Sequence, residues 1–484
     1  MVKSPNRLTP PLVRGGADKV GGGVVNNTCN RLTPPLVRGG ADKVGEGVVN
    51  NASNRLTPPL VRGGADKVGG GVVNNTCNRL MPPLVGEGGY HTHPISMQHA
   101  TFNLFKAQAL LRSDSLIAEI QHFIEKKMKQ LGIYIHIPFC RSKCPYCDFF
   151  SLADDSAAQA YTEAVCAHLA QANPQGEYAA DTLYFGGGTP SVLQGEQLAA
   201  MIGSAKAHFG AGIAEITIEC NPSDVERAFL ERVRQAGANR LSFGMQSAVE
   251  SERRALGRRA DRAQVAQAVR LAQEAGFANI SLDVMLGIPG QTARSLHESL
   301  DFCTALGVQH ISAYILKIEE GTYFGKHRDR LTLPDEDATA DLYLQAVEEL
   351  EQAGFLQYEI SNFAKAGFES RHNLKYWRLD EYLGIGAAAH SFMSGKRFYY
   401  PRDIAYFTEK KQPLPDGTGG DRQEKIMLGL RLKEGIENKL LSESAKAQLP
   451  FLTGQGLISC TAERTALTPR GCLLSNAIIA ALIE

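Results

Sequence analysis

The sequence predicts an α/β protein: an incomplete (β/α)6 barrel, a smaller C-terminal α+β domain of winged-helix order, and a disordered extension ahead of both. Three observations predict it. Between residues 132 and 316, six apolar, β-rich segments alternate with amphipathic helical ones, the pattern of a parallel sheet with crossover helices. Polar side chains gather where those apolar segments end, as a barrel of this kind requires. The tail from about residue 422 then reads helix, helix, hairpin, helix.

The elements follow in chain order. Residues 6–77 are three near-identical copies of a 24-residue unit that opens Asn-Arg-Leu-Thr-Pro-Pro, and a degenerating fourth begins at Asn78. Copies differing only as Gly22 differs from Glu46, or Thr28-Cys29 from Ala52-Ser53, look like recent duplication of DNA rather than a selected solenoid. Each unit is rich in glycine and carries few large apolar residues, so burial offsets little of its ordering entropy. Residues 1–97 are therefore expected to be disordered, and 98–127 to be a partly helical linker. A chain starting at Met128 would be a conventional protein, with Met97 a weaker alternative, so the first 127 residues read as an upstream extension. The barrel is expected over 128–365 and the accessory domain over 366–484.

Strands are expected at 132–137, 181–185, 214–219, 240–244, 280–286 and 309–315. Helices are expected near 156–171, 193–208, 223–236, 261–275 and 292–306. In the tail, helices at 424–432 and 441–449, a hairpin around 457–467 and a helix from Thr468 complete the accessory domain.

Bulk composition excludes several functions. Lysine plus arginine equals aspartate plus glutamate at 51 each among 484 residues, so no basic field argues for nucleic acid or a membrane surface. No apolar run reaches the length of a membrane-spanning helix, and an integral membrane segment is not expected. Ten cysteines are too few for a disulfide scaffold at this length, which points to the cytosol. Cys166, Cys220, Cys303, Cys460 and Cys472 read as small structural residues.

Three cysteines read differently. Cys140, Cys144 and Cys147 form a Cys-x3-Cys-x2-Cys run on a loop that follows the first strand. Three thiolates on one loop can converge on a soft metal centre, one ligand short of a closed zinc site or a fully protein-ligated cubane. A [4Fe–4S] cluster with one open iron, a zinc ion completed by a distant residue and plain burial are the three readings of the run.

The strand ends add a polar mouth. The second strand runs into Gly186-Gly-Gly-Thr-Pro190, where glycine lets the backbone pass close to a ligand. Glu219 ends the third strand, Gln246 the fourth with Arg258 beyond it, and Asp283 lies in the fifth.

Tyr134-Ile-His-Ile-Pro-Phe-Cys140, Gly186-Gly-Gly-Thr-Pro190, Glu219-Cys-Asn-Pro222, Gly244-Met-Gln-Ser247 and Asp283-Val-Met-Leu-Gly-Ile-Pro-Gly290 together resemble one family. It is the oxygen-independent coproporphyrinogen III oxidase-like family of the radical S-adenosylmethionine (SAM) superfamily, and the resemblance covers essentially 128–484. It implies a radical-SAM barrel whose cysteines, Cys140, Cys144 and Cys147, hold one [4Fe–4S] cluster with an open iron for SAM. It also implies SAM contacts at Tyr134, Tyr146, Gly187, Gly188, Thr189, Glu219, Gln246, Arg258 and Asp283.

Two features select a branch. True oxidases of the family carry a further cysteine two positions after the last cluster ligand, where this chain has Phe149. Arg371-His-Asn-Leu-Lys-Tyr-Trp377 contains the only tryptophan and resembles the hallmark of the haem-chaperone branch. From the residues themselves the motif is either a haem contact or an aromatic anchor between barrel and accessory domain. The resemblance implies the former, with haem at His372, Tyr376 and Trp377. The expectation is thus a haem chaperone that holds a cluster and SAM and delivers haem to acceptor proteins, and oxygen-independent oxidation of coproporphyrinogen III is the alternative. His390, in a small-residue loop, reads equally as a satisfied structural histidine.

Overall fold

The computed structural model describes residues 128–484; the repeats and the linker expected ahead of Met128 lie outside the described residues. Strand β1 (Lys129–Ile137) opens it, followed by β2 (Tyr178–Gly187), β3 (Glu215–Cys220), β4 (Arg240–Gln246), β5 (Asn279–Leu286) and β6 (His310–Ile315). All six pair in parallel and in sequence order. Each lies within a few residues of its expected place, because continuous runs such as Ile133 to Ile137 suit a strand covered on both faces.

The crossover helices Ala158–Ala172, Gly195–Phe209, Arg227–Ala236, Arg262–Glu274 and Ala293–Ala305 cover the outer face. Their limits have local causes. Asp261 and Thr292 cap with their side chains, each in a reciprocal box with the residue three positions on. Gly237 ends Arg227–Ala236 in the left-handed conformation. Leu198, Met201, Ile202, Ala205 and Phe209 bury one helical stripe against the sheet. A short helix, Glu250–Ala255, is additional to the expected set.

The sheet continues past the barrel on both sides. Strands β7 (Leu356–Glu359) and β8 (Asn362–Ala364) add antiparallel to β6. On the other side β9 (Tyr382–Ile385) pairs in parallel with β1, and β10 (His390–Met393), β11 (Lys396–Tyr399) and β12 (Leu414–Thr418) extend it. The result is an open sheet of twelve strands, ordered β12-β11-β10-β9-β1-β2-β3-β4-β5-β6-β8-β7. Strands on both sides of residue 365 thus share one sheet.

One helix enters the barrel. The Glu215 carboxylate, at the start of β3, accepts the backbone N–H groups of Arg371 and His372 at 3.0 Å each. That anion compensates the N-terminus of helix Arg371–Arg378 and draws it against the early ends of the strands. Beyond it, helices Arg422–Gly429, Glu443–Gly454, Pro469–Leu473 and Ser475–Ile483 surround a sheet of β13 (Ile436–Glu437), β15 (Arg464–Leu467) and β14 (Ile458–Cys460). These elements keep a separate core of Ile426, Leu430, Ile436, Leu452, Leu467 and Ile479, in the winged-helix order that the tail predicts. Among the described residues no helix is long and apolar enough to cross a membrane.

Candidate cluster and cofactor site

The loop after β1 is tied down before it reaches its cysteines. Gly188 N–H donates to Ile137 O and Thr189 N–H to Phe139 O, both at 2.8 Å. The turn after β2 therefore lies against the turn after β1. Cys140 N–H donates to Leu152 O, and Leu152 N–H back to Pro138 O, which closes the loop's base. The three cysteines are half-buried and line one cavity. Tyr146, Gly187, Gly188, Thr189 and Arg258 line it as well.

The donor set fits a cluster. Thr189 Oγ1 lies 3.4 Å from Cys140 Sγ, and Arg258 Nη1 donates to Cys144 Sγ at 3.6 Å. The guanidinium gives that sulfur a charged hydrogen-bond donor. Among the described residues no three His, Cys, Asp or Glu side chains are grouped around a point for a single ion. Thiolates of a cubane each take a different iron, so a cluster does not require all three to meet at one point.

The glycine turn has a geometric requirement of its own. A Cβ at Gly188 would run into the carbonyl oxygens of Ile137 and Phe139. At Gly187, whose φ is +103°, it would run into the His136 ring. Close approach to a ligand was expected here; close approach to β1 is what the structure displays.

Glu219, Gln246 and Asp283 face the barrel interior with Tyr134 and Tyr184. Tyr184 O–H donates to Glu219 Oε1 at 2.9 Å, and Ser242 O–H to Asp283 Oδ1 at 3.0 Å. Tyr134 O–H pairs with His136 Nδ1 at 3.1 Å, and burial with the nearby Glu219 charge raises its pKa well above the usual value. Gln246 is fully buried, and its φ of +73° puts a non-glycine residue in the left-handed region at an irregularity in the β4–β5 pairing. Its Oε1 accepts from Tyr314 at 2.8 Å, while its Nε2 has no partner among the described residues. A strained, oriented amide with a spare donor fits a polar ligand.

The sequence reading missed part of the wall. Asn221, Arg259, Met285, Tyr314 and Lys317 also line the cavity. Carried on to the end of β6, the strand-end rule finds Tyr314 and Lys317. Phe149 lines the cavity too, beside Cys147, where the oxidases carry a further cysteine.

His372, Tyr376 and Trp377 do not join this site. Helix Arg371–Arg378 sets His372 against β2, where its Nδ1 pairs with Thr182 Oγ1 and its Nε2 with Tyr376 O–H, both at 2.8 Å. The ring stacks on Tyr184 at 5.1 Å and is 1% exposed. Burial, then the Lys375 and Arg240 charges, push its pKa down to about 3, so the ring is neutral. Both nitrogens are engaged, and neither is available to iron in this conformation. Trp377 packs under the Arg431 guanidinium of the C-terminal segment, at 5.9 Å. In this structure the motif packs between β2 and the C-terminal segment.

The comparisons agree with this geometry. The model of the Radical SAM superfamily matches residues 134–303. Heme chaperone HemW of Bacillus subtilis is 34% identical over 375 residues, covering 72% of this chain and 98% of the relative. Heme chaperone HemW of Escherichia coli is 39% identical over 378 residues, covering 73% and 98%. Among solved structures, coproporphyrinogen III oxidase (HemN) from Escherichia coli shares the fold with a TM-score of 0.64 and 22% identity, over 75% of this chain and 93% of that one. Identity at this level across nearly the whole length of the relatives is kinship: the chain belongs to the HemW family of the radical SAM superfamily.

Proposed function

We propose that this chain is a haem chaperone, binding haem and passing it to acceptor proteins, with one [4Fe–4S] cluster and SAM as resident cofactors. The observation that carries this is the identity of 32–39% to bacterial proteins named heme chaperones. Phe149 in the cavity wall supports it against the oxidase alternative, which shares the fold. Cys140, Cys144 and Cys147 would hold the cluster. What such a group supplies when bound is an open iron for the amino and carboxylate groups of SAM.

The chain's own residues would then bind and orient. Gly187, Gly188, Thr189 and Arg258 line the cavity beside the cysteines, and Tyr146 packs its ring on Phe324. Tyr134, Glu219, Gln246 and Asp283 would present hydrogen-bonding groups from the interior. His372, Tyr376 and Trp377 would reach haem only in a state where their helix has left the barrel base. Within this reading residues 128–365 and 366–484 act as barrel and accessory domain, residues 1–127 as an extension, and the protein works in the cytosol.

The test is a titration of anaerobically reconstituted full-length protein with haem. A Soret band that saturates is the expected result, on protein holding about four irons per chain. Cys144→Ala should abolish the cluster absorbance, because two thiolates do not retain a cubane. Zinc in place of iron in the wild type would overturn the cluster, and absence of any Soret band would overturn the chaperone.

A further inference from the structure

Haem iron needs a ligand, and four described histidines have none to spare. His136 is hydrogen-bonded at both ring nitrogens, to Tyr134 O–H and Phe150 O. So are His168, to Tyr400 O–H and Phe407 O, and His310, to Ser281 and Tyr358. His372 is the fourth. His390, which opens β10, is built differently. Its Nδ1 stands 3.6 Å from Asp416 Oδ2 on β12, and its ring stacks on Tyr399 of β11 at 5.3 Å and 16°. Its Nε2 makes no hydrogen bond among the described residues, and the side chain keeps 20% of its exposure.

The position is also rigid. Ala388, two residues earlier, sits at φ +71° and donates its N–H to Tyr400 O and Pro401 O, so the strain is held by the strand return. At 3.6 Å the Asp416 carboxylate acts electrostatically rather than through a hydrogen bond. It still favours the proton on Nδ1 and leaves the lone pair on Nε2, the arrangement that orients imidazoles for metals. Arg402, on the same strand return, is exposed and pairs only at 3.8 Å with Asp148 beside Cys147. It provides a cation for a carboxylate of the porphyrin rim.

We propose that His390 is the axial ligand of haem iron, with Asp416 setting its tautomer and Tyr399 its plane. The proposal rests on the haem-chaperone reading and deepens it. A chaperone must release its cargo, and a partly exposed imidazole two strands in from the open edge of the sheet permits exchange that a sealed barrel interior does not. Two other histidines compete: His327 has its Nδ1 tied to the carbonyl of Tyr323 in its own turn, without a carboxylate, and His297 pairs its Nδ1 with Glu349 at 3.0 Å but has no aromatic ring set against it among the described residues.

The experiment titrates ferric haem into cluster-replete full-length protein and reads Soret absorbance and electron paramagnetic resonance. His390→Ala should shift the band and the iron spin state, and added imidazole should restore the wild-type spectrum. Asp416→Asn should keep the band with roughly tenfold weaker binding. His327→Ala and His297→Ala should leave the spectrum unchanged. A folded, cluster-replete His390→Ala with the wild-type spectrum would discard the site and leave the chaperone reading standing; so would loss of the band in either control. If His390→Ala does not fold, unchanged haem affinity in Asp416→Asn overturns the proposal. Wild-type protein without any haem spectrum would remove both the reading and the site.

Discussion

Gln246 shows how one residue can carry both strain and function. Its φ of +73° costs a non-glycine residue about 1–2 kcal/mol, and complete burial leaves its Nε2 without a partner among the described residues. Substitution separates the two effects. Gln246→Gly should be more stable than Gln246→Ala by about 1 kcal/mol in chemical denaturation, since only glycine relaxes at that backbone. Both should lose affinity for SAM by about tenfold, as loss of a buried polar contact predicts. Equal SAM binding by wild type and both variants would remove Gln246 from the site. The cysteines were legible because their spacing alone brings thiols together on one loop. The placement of His372 was not, because it depends on Glu215, far earlier in the chain, drawing the helix into the barrel by its N-terminus.

At the scale of elements, the turn after β2 and the loop after β1 form one unit through backbone hydrogen bonds and missing side chains. Gly188→Ala should destabilise the fold by about 1–3 kcal/mol, the range for forcing a methyl into a packed site. It should also weaken cluster retention, because the same contact positions the cysteine loop. Iron content and denaturation midpoint check this, and a stable variant with full iron would contradict it. The alternation of strands and helices was readable because hydrophobic period and turn residues act locally. The partners of β9 to β12 were not, because pairing between β9 and β1 joins residues some 250 positions apart, as with Gly132 and Tyr382, and no local period encodes it. The place of His390, two strands in from the edge of the sheet, follows from that long-range pairing.

Taken as a whole, the molecule buries several neutral histidines, and acid should unfold it. Burial holds the pKa of His136 down to about 4 and of His372 to about 3, below the ordinary 6.5. Below pH 6.5 the unfolded chain binds these protons and the folded one does not, so stability falls as pH drops from 6.5 towards 3. Each such proton is worth about 1.4 kcal/mol per pH unit. Glu359 works in the opposite direction: burial raises it to about 7, and its contribution is lost as pH rises from 4.5 to 7. Two histidines outweigh one glutamate, so the denaturation midpoint should fall steadily between pH 6.5 and 4.5. A flat profile would show that these rings are solvated. A chain starting at Met128 should keep its melting temperature and iron content, since relatives matching 72% of this chain are themselves 98% covered.

The most direct measurement of the central claim is anaerobic turnover of coproporphyrinogen III with SAM and a reductant, on a preparation shown to hold both its cluster and haem-binding competence. A haem chaperone with Phe149 beside its last cluster cysteine should yield no protoporphyrinogen IX while retaining its Soret band. Multiple turnovers on that preparation would contradict the account and make the chain an oxidase.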